Sequence, residues 1–104
     1  MASTVVVQYR CSSTEAADEN QRLVEDVFRE LDALGDTGFA YTSLRLDDGV
    51  SFVHVVIEQG DGGVDLSTVP AFQRFTGTIG ERTDGPPVAR GATVVGAHGL
   101  LARS

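Results

Sequence analysis

Two strand-like runs joined by a tight-turn sequence constrain the fold of this chain more than any other feature. Residues 38–46, GFAYTSLRL, and residues 51–58, SFVHVVIE, are both rich in β-branched and aromatic side chains. Between them lie Asp47, Asp48 and Gly49, and glycine tolerates the positive φ that a tight hairpin requires. The sequence therefore predicts a β-hairpin.

The chain before this hairpin predicts one strand and one helix. Residues 3–10, STVVVQYR, have strand character, whereas Ser12 and Glu15 fit a capping box that starts a helix. Gly35 suits the position just past the end of that helix. The apolar residues between them recur at helical spacing: Leu23, Val24, Val27, Phe28, Leu31 and Leu34. The acidic residues lie mostly off this stripe, and we interpret them as a solvated face.

A second helix and a last strand are predicted after the hairpin. The glycine-rich segment 60–65, GDGGVD, lacks the spacing of a phosphate, dinucleotide or calcium loop, so it is interpreted as a connection. A helix opens near Pro70, and Gly85, Pro86 and Pro87 end it. Its apolar side is Val69, Phe72, Phe75, Thr76 and Ile79. Residues 88–97, VARGATVVGA, predict the closing strand.

The resulting order is βαββαβ. This order predicts an α+β fold of the ferredoxin-like type, in which two helices cover one face of a four-stranded antiparallel sheet. A length of 104 residues is typical of one domain, so residues 1–104 are expected to form one unit. The second face of the sheet is left uncovered.

Composition excludes several function classes. A net charge of −7 disfavours nucleic acid and anionic membrane surfaces as partners. Strand three also lacks the basic and stacking residues of an RNA-recognition module. Cys11 is the only cysteine, so no internal disulfide is predicted, and two histidines with scattered acids predict no metal site. No apolar run is long enough to cross a bilayer and the N-terminus reads as a strand, which favours a cytoplasmic location.

Side-chain alternation divides the predicted strands into two faces. We expect an apolar set to lie beneath the helices: Val5, Val7, Ala40, Thr42, Leu44, Leu46, Val53, Val55 and Ile57. Tyr9 belongs to the same side and is interpreted as structural. The opposite set is expected on the uncovered face: Val6, Gln8, Arg10, Phe39, Tyr41, Ser43, Arg45, Phe52, His54, Val56 and Glu58.

Several large apolar side chains on the uncovered face predict a partner surface. Monomers rarely leave such a patch in water. We expect a two-fold homodimer in which the two sheets face each other, with Gln8, Tyr41, Arg45 and His54 enclosed between them.

The chain resembles the antibiotic biosynthesis monooxygenase-like family of small dimeric α/β barrels. The resemblance rests on VVVQYR before an acidic helix, the hairpin YTSLRLDDGVSFVHVV, PAFQRF at 70–75 and GPPV at 85–88. It implies a sheet-to-sheet dimer, a ligand cavity between sheet and helices or at the interface, and in some members oxidation of aromatic polyketides without metal or flavin. It also implies no resident cofactor.

The chain departs from this family at positions that carry chemistry. Many relatives have a histidine at the start of helix two, where this chain has Ala71. The chain has no tryptophan, and its only asparagine, Asn20, lies on helix one, so haem degradation is not expected. Among the residue types used by anthrone-type relatives, only Tyr41 and His54 remain as catalytic candidates.

His54 has two interpretations. It is either a buried, hydrogen-bonded residue packed beside Phe52, or a proton acceptor for an acidic phenol or enol, since an ordinary histidine pKa near 6.5 suits general-base work. In the catalytic interpretation Arg45 holds the oxyanion and Tyr41 orients the substrate, with Gln8 and Phe52 completing the binding site. Arg45 equally fits a charge pair with Glu58 or another acid. The predicted function is thus cofactor-independent oxidation of a small aromatic substrate, or, as the alternative, non-catalytic ligand binding or assembly. The second histidine, His98, is expected to be exposed.

Overall fold

A computed structural model of the chain describes residues 3–58 and 64–98 and confirms the βαββαβ order. The strands are β1 (Ser3–Arg10), β2 (Phe39–Arg45), β3 (Ser51–Glu58) and β4 (Val88–Ala92), and the helices are α1 (Thr14–Leu34) and α2 (Pro70–Gly77). Short 3-10 turns at Leu66–Thr68 and Ile79–Glu81 flank α2. The strands form one antiparallel sheet in the order β2-β3-β1-β4, which is the predicted ferredoxin-like arrangement.

The start of α1 differs from the predicted capping box. Ser13, with extended backbone angles, is the N-cap, and its hydroxyl oxygen accepts the N–H of Ala16 at 3.1 Å. Ser12 instead donates its hydroxyl to the backbone carbonyl of Arg82. The sequence pattern fits either of two adjacent serines as the N-cap. Only the backbone path into the helix determines which of them takes that position. The end of the helix at Gly35, with φ of 80°, is as predicted.

The β2–β3 hairpin is confirmed, including its turn. Gly49 has φ of 81°, a value that side chains rarely allow. The Asp48 carboxylate accepts the hydroxyl of Ser51 at 2.6 Å and the backbone N–H groups of Val50 and Ser51 at 2.9 and 2.8 Å. These hydrogen bonds lower the pKa of Asp48 to about 2.

Three predicted segments have other bounds in the structure. The second helix, predicted to continue until Gly85, ends at Gly77. The last strand, predicted over 88–97, ends at Ala92. Most of the predicted connection over 60–65 lies outside the described residues. Asp65, at its end, caps the first 3-10 turn by accepting the N–H of Ser67. His98 is exposed, as expected, and the residues after it lie outside the described part of the chain.

The predicted facing of strands two and three is wrong. In the sheet register His54 lies directly opposite Val7 and Ser43, and Phe52 lies opposite Tyr9, so these residues share one face. Contacts with the helices identify this face as the covered one: Tyr9 and His54 stack near Phe75 of α2, and Tyr41 packs on Phe28 of α1.

Tyr41, Arg45, Phe52 and His54 therefore lie beneath the helices, and not on the face predicted to pack against a second subunit. The apolar residues predicted beneath the helices from strands two and three, Leu44, Val53, Val55 and Ile57 among them, occupy the other face. For strand one, the prediction that Val7 and Tyr9 share the helix side is confirmed. Alternation shows which residues share a face, but both sets here contain large apolar groups, so hydrophobicity could not show which face the helices cover.

The core lies between the sheet and the two helices. Its buried members include Tyr9, Phe52 and Phe75, together with the α1 residues Ala17, Val24, Val27 and Leu31. Glu30, interpreted from the sequence as solvated, joins the helices: one carboxylate oxygen accepts the N–H of Ala71 and the other pairs with Arg74, each at 3.2 Å. This contact positions α2, which forms one wall of the cavity described below. In the described residues, neither helix combines the length and apolar character needed to cross a membrane.

Candidate functional site

A cavity of about 180 Å³ lies between the sheet and α2. Aromatic rings form much of its wall, and the accessible part of the wall is apolar: the lining includes Tyr9, Tyr41, His54, Phe72 and Phe75. Val7 and Val56 complete the sheet side, and Leu66, Thr76 and Pro87 lie around the rest. The cavity contains both predicted catalytic residues, so it is the candidate site.

His54 is held on both sides by tyrosine hydroxyls. Its Nε2 lies 2.8 Å from the hydroxyl oxygen of Tyr9, and its Nδ1 lies 2.8 Å from the hydroxyl oxygen of Tyr41. The ring is only 4% exposed and lies 5.5 Å from the ring of Phe75. Both ring nitrogens are thus satisfied within the protein, as in the structural interpretation of this residue.

Burial shifts the pKa values of all three groups toward the neutral form. It lowers the pKa of His54 to about 4, because the buried site does not replace the lost hydration of an imidazolium. It also raises the pKa of Tyr9 and of Tyr41. At neutral pH the site therefore holds a neutral imidazole between two neutral phenols.

The hydrogen bonds continue away from the cavity to Asn20 and Arg82. The Asn20 amide nitrogen donates to the Tyr9 hydroxyl at 2.7 Å, and its amide oxygen accepts from Arg82 Nε at 3.0 Å. Arg82 also donates to the carbonyl of Phe75 at 2.9 Å and to the hydroxyl of Thr78 at 2.6 Å. Asn20 and Arg82 are 0% and 3% exposed, so this end of the hydrogen-bond network is buried.

Sequence reasoning missed both Asn20 and Arg82. One signal was present for Asn20, which lies at helical spacing with Val24, Val27 and Leu31 and so shares the buried side of α1. No signal marked Arg82, because it follows a short 3-10 turn whose direction depends on the docking of α2.

The predicted site residues are only partly brought together. Tyr41 and His54 are in contact, and Phe52 is buried beside them, stacked on Tyr9 with ring centroids 5.5 Å apart. Gln8 is exposed on the opposite face of the sheet, so the prediction that it shares a pocket with His54 is wrong.

Arg45 faces the helices but is fully engaged elsewhere. Its guanidinium donates to the carbonyl of Gly49, to Gln21 at 2.8 Å and to the carboxylate of Asp18 at 3.1 Å. It lies over the ring of Phe52 and does not line the cavity. This arrangement corresponds to the charge-pair interpretation, with Asp18 in place of Glu58.

The cavity offers few ligands for a metal. Across residues 3–58 and 64–98, no three His, Cys, Asp or Glu side chains gather in a way that could hold an ion. What the arrangement offers is an apolar space beside two phenol rings and an imidazole, which suits a small aromatic molecule.

The fold defines a class: ferredoxin-like α+β proteins with the architecture of solved structures named antibiotic biosynthesis monooxygenases. Among solved structures, the protein Rv0793 of Mycobacterium tuberculosis is similar with a TM-score of 0.70 at 13% identity, over 93% of this chain and 98% of that chain. A protein of Caulobacter crescentus provisionally named an antibiotic biosynthesis monooxygenase has a TM-score of 0.64 at 21% identity, over 91% of each chain.

A further structure, named antibiotic biosynthesis monooxygenase, has a TM-score of 0.63 at 17% identity, over 92% of this chain and 100% of that chain. No family model matches the sequence, and no curated protein matches it. The resemblance seen in the sequence is thus confirmed as a likeness of fold.

Proposed function

We propose that the protein binds a small aromatic molecule in the cavity between the sheet and α2. The observation that carries this proposal is a largely apolar space, walled by aromatic rings, between the sheet and α2. Concave spaces with apolar, aromatic walls are where proteins commonly bind small molecules, so this space favours a ligand.

The cavity volume selects the size of the ligand. An apolar cavity of roughly 150 Å³ holds benzene in another protein, and the cavity here is about 180 Å³. One or two fused rings fit this space, whereas the three rings of an anthrone require the walls to move. We therefore choose α-naphthol as the probe and anthrone as the size comparison.

The binding test fills the cavity with a side chain. Val56 lines the cavity, so Val56→Phe should reduce the affinity for α-naphthol at least about tenfold, because the added ring occupies the ligand space. Val95 is 98% exposed, so Val95→Phe is the matched control and should bind like the wild type. Calorimetric titration measures both, and equal affinity of the Val56 variant and the wild type would place the ligand elsewhere.

Cofactor-independent oxidation of the bound molecule is a second candidate. The fold likeness and the contact of Tyr41 and His54 beside the cavity favour it. With α-naphthol the step is balanced without a further reductant: the carbon para to the hydroxyl gains one oxygen atom and becomes a carbonyl. The hydroxyl becomes the second carbonyl, and the other oxygen atom leaves as water with the two hydrogens lost by the naphthol.

The structure changes the role that His54 could have in this reaction. Both of its nitrogens contact tyrosine hydroxyls and its pKa is lowered to about 4, so it is a weak base without a free nitrogen. These observations favour binding over chemistry. If oxidation occurs, we infer that Tyr41, whose ring lines the cavity, supports the substrate oxygen as a hydrogen-bond donor. Because the accessible wall is apolar, the substrate must displace part of it to reach the hydroxyl.

Oxygen uptake with α-naphthol distinguishes the two candidates. If the protein is an oxygenase, Tyr41→Phe should lower kcat about 100-fold, as expected for the loss of one donor to a developing oxyanion. His54→Ala should also lower the rate, whereas His98→Ala, at an exposed position, should not. Tight binding with no oxygen uptake identifies a binding protein, and equal rates for the wild type and His54→Ala exclude His54 from catalysis.

A further inference from the structure

The hydrogen bonds from Arg82 to Tyr41 form one continuous chain through Asn20, Tyr9 and His54. Each link is between 2.7 and 3.0 Å long. A chain of this kind can in principle run in either direction, because a hydroxyl or a neutral imidazole both donates and accepts. The direction of the hydrogen bonds determines whether the Tyr41 hydroxyl can donate a proton to a ligand or can only accept one from it.

We infer that Arg82, acting through Asn20, fixes the direction of the whole chain, so that His54 carries its proton on Nδ1 and the Tyr41 hydroxyl is a donor to a carbonyl-bearing ligand. The ligand part of this inference rests on the proposed function. The assignment of the histidine proton does not.

The argument starts at Arg82, whose guanidinium has donors and no acceptor. Because Arg82 Nε faces the Asn20 side chain at 3.0 Å, the group it contacts must be the amide oxygen. The amide nitrogen of Asn20 is then the atom that contacts Tyr9 at 2.7 Å, and it can only donate. Asn20 has one possible orientation, although an isolated asparagine would have two.

This orientation determines the remaining links. The Tyr9 oxygen accepts from Asn20, and within residues 3–58 and 64–98 its only other hydrogen-bond partner is His54 Nε2. The buried Tyr9 proton therefore goes to Nε2, at 2.8 Å. A neutral imidazole that accepts at Nε2 carries its proton on Nδ1, and this proton is donated to the Tyr41 oxygen at 2.8 Å. Ser43 lies 3.4 Å from the same Nε2, where it too can act as a donor.

Tyr41 ends the chain with one proton still to donate. Its hydroxyl has no hydrogen-bond partner besides His54 within residues 3–58 and 64–98. A ligand that reaches this hydroxyl therefore gains a hydrogen bond if it brings an acceptor, such as a ketone or quinone oxygen. Asn20 and Arg82 are positioning residues in this scheme, because they act on the ligand only through Tyr9 and His54.

Asn20→Asp is the variant that reverses the chain. A carboxylate accepts from Arg82 and also from the Tyr9 hydroxyl, so Tyr9 no longer donates to His54. The imidazole must then donate from Nε2 and accept the Tyr41 proton at Nδ1. Gln21→Glu is the matched control, since it adds the same charge on α1 beside an arginine, Arg45, without touching the chain.

Nitrogen NMR of the His54 ring at pH 8 tests the assignment without any ligand. The wild type and Gln21→Glu should show Nδ1 protonated, and Asn20→Asp should show Nε2 protonated. A wild-type ring protonated on Nε2 would overturn the inference, and this reading does not depend on the folding of a variant. An unchanged or doubly protonated ring in a folded Asn20→Asp protein would overturn it as well.

The ligand part is tested with α-tetralone and tetralin, two bicyclic molecules that differ by one carbonyl. The ratio of their affinities should fall about fivefold from the wild type to Asn20→Asp, the equivalent of one neutral hydrogen bond, and should be unchanged in Gln21→Glu. An unchanged ratio with both molecules bound overturns the ligand part alone. If neither molecule binds the wild type, the proposed function and the ligand part both fail, while the NMR result still decides the histidine assignment.

Discussion

At the scale of single residues, His54 shows how strongly burial can alter a titratable group. An imidazole with an ordinary pKa near 6.5 is shifted to about 4 here because its surroundings are aromatic rings and neutral hydroxyls. The folded state therefore holds His54 neutral over a range of pH in which the unfolded chain binds a proton.

This difference predicts a loss of stability in mild acid. The unfolded state takes up the proton first as the pH falls, so stability is full above about pH 6.5 and decreases until about pH 4. The expected decrease in the free energy of unfolding is about 3 kcal/mol. Urea denaturation between pH 8 and pH 4 measures it.

His54→Gln should lack this decrease, because glutamine does not titrate. The Asp48 carboxylate, with its pKa lowered to about 2, loses its stabilising effect only below the range in which His54 acts. The same pH dependence in His54→Gln and in the wild type would show that another group is responsible.

At the scale of elements, the helix α1 contributes residues both to the core and to the candidate site. One side of it supplies core residues, and the same side supplies Asn20 to the hydrogen-bond chain. The side toward α2 supplies Glu30, whose carboxylate contacts Ala71 and Arg74 of α2. The position of the cavity wall thus depends on how α1 begins and how it is rotated.

Substitutions of two adjacent serines test which residue is the N-cap of α1. Ser13→Ala should lower the free energy of unfolding by about 1 kcal/mol, because the N–H of Ala16 loses its acceptor. Ser12→Ala is the natural control and should have a smaller effect, since its contact with the Arg82 carbonyl is long, at 3.4 Å. A larger loss for Ser12→Ala in thermal or urea unfolding would support the capping box read from the sequence.

At the scale of the whole molecule, the face of the sheet away from the helices carries exposed apolar side chains, although its residues differ from those predicted. Leu44 and Val88 are each 50% exposed on this face, and Val6, Val53 and Val55 lie between them. The homodimer expected from the sequence stays a prediction, and this apolar surface is its physical basis.

A charged residue in the middle of that face tests the dimer. Light scattering of the wild type should give twice the chain mass of 11.0 kDa, and Val53→Asp should give the mass of one chain because a buried, unpaired carboxylate opposes association. Val95→Asp, at an exposed position, should leave the mass unchanged. A wild-type protein of 11.0 kDa at micromolar concentration would contradict the prediction.

The order of elements was determined by the sequence alone, because hairpin turns, helical stripes and terminal glycines act over short distances. Gly35 and Gly49, for example, are read correctly without any knowledge of the tertiary structure. The sequence also singled out Tyr41 and His54, since few other residues could carry chemistry.

Only the tertiary structure decided which face of β2 and β3 the helices cover, and therefore whether His54 lies between the sheets of two subunits or in the core beneath the helices. Two faces of similar hydrophobicity leave that choice to the packing of rings such as Phe28 and Phe75. The same packing brings Arg82 into contact with Asn20, 62 positions away in the sequence, and connects both through Tyr9 to His54 on β3. No local sequence pattern encodes these contacts.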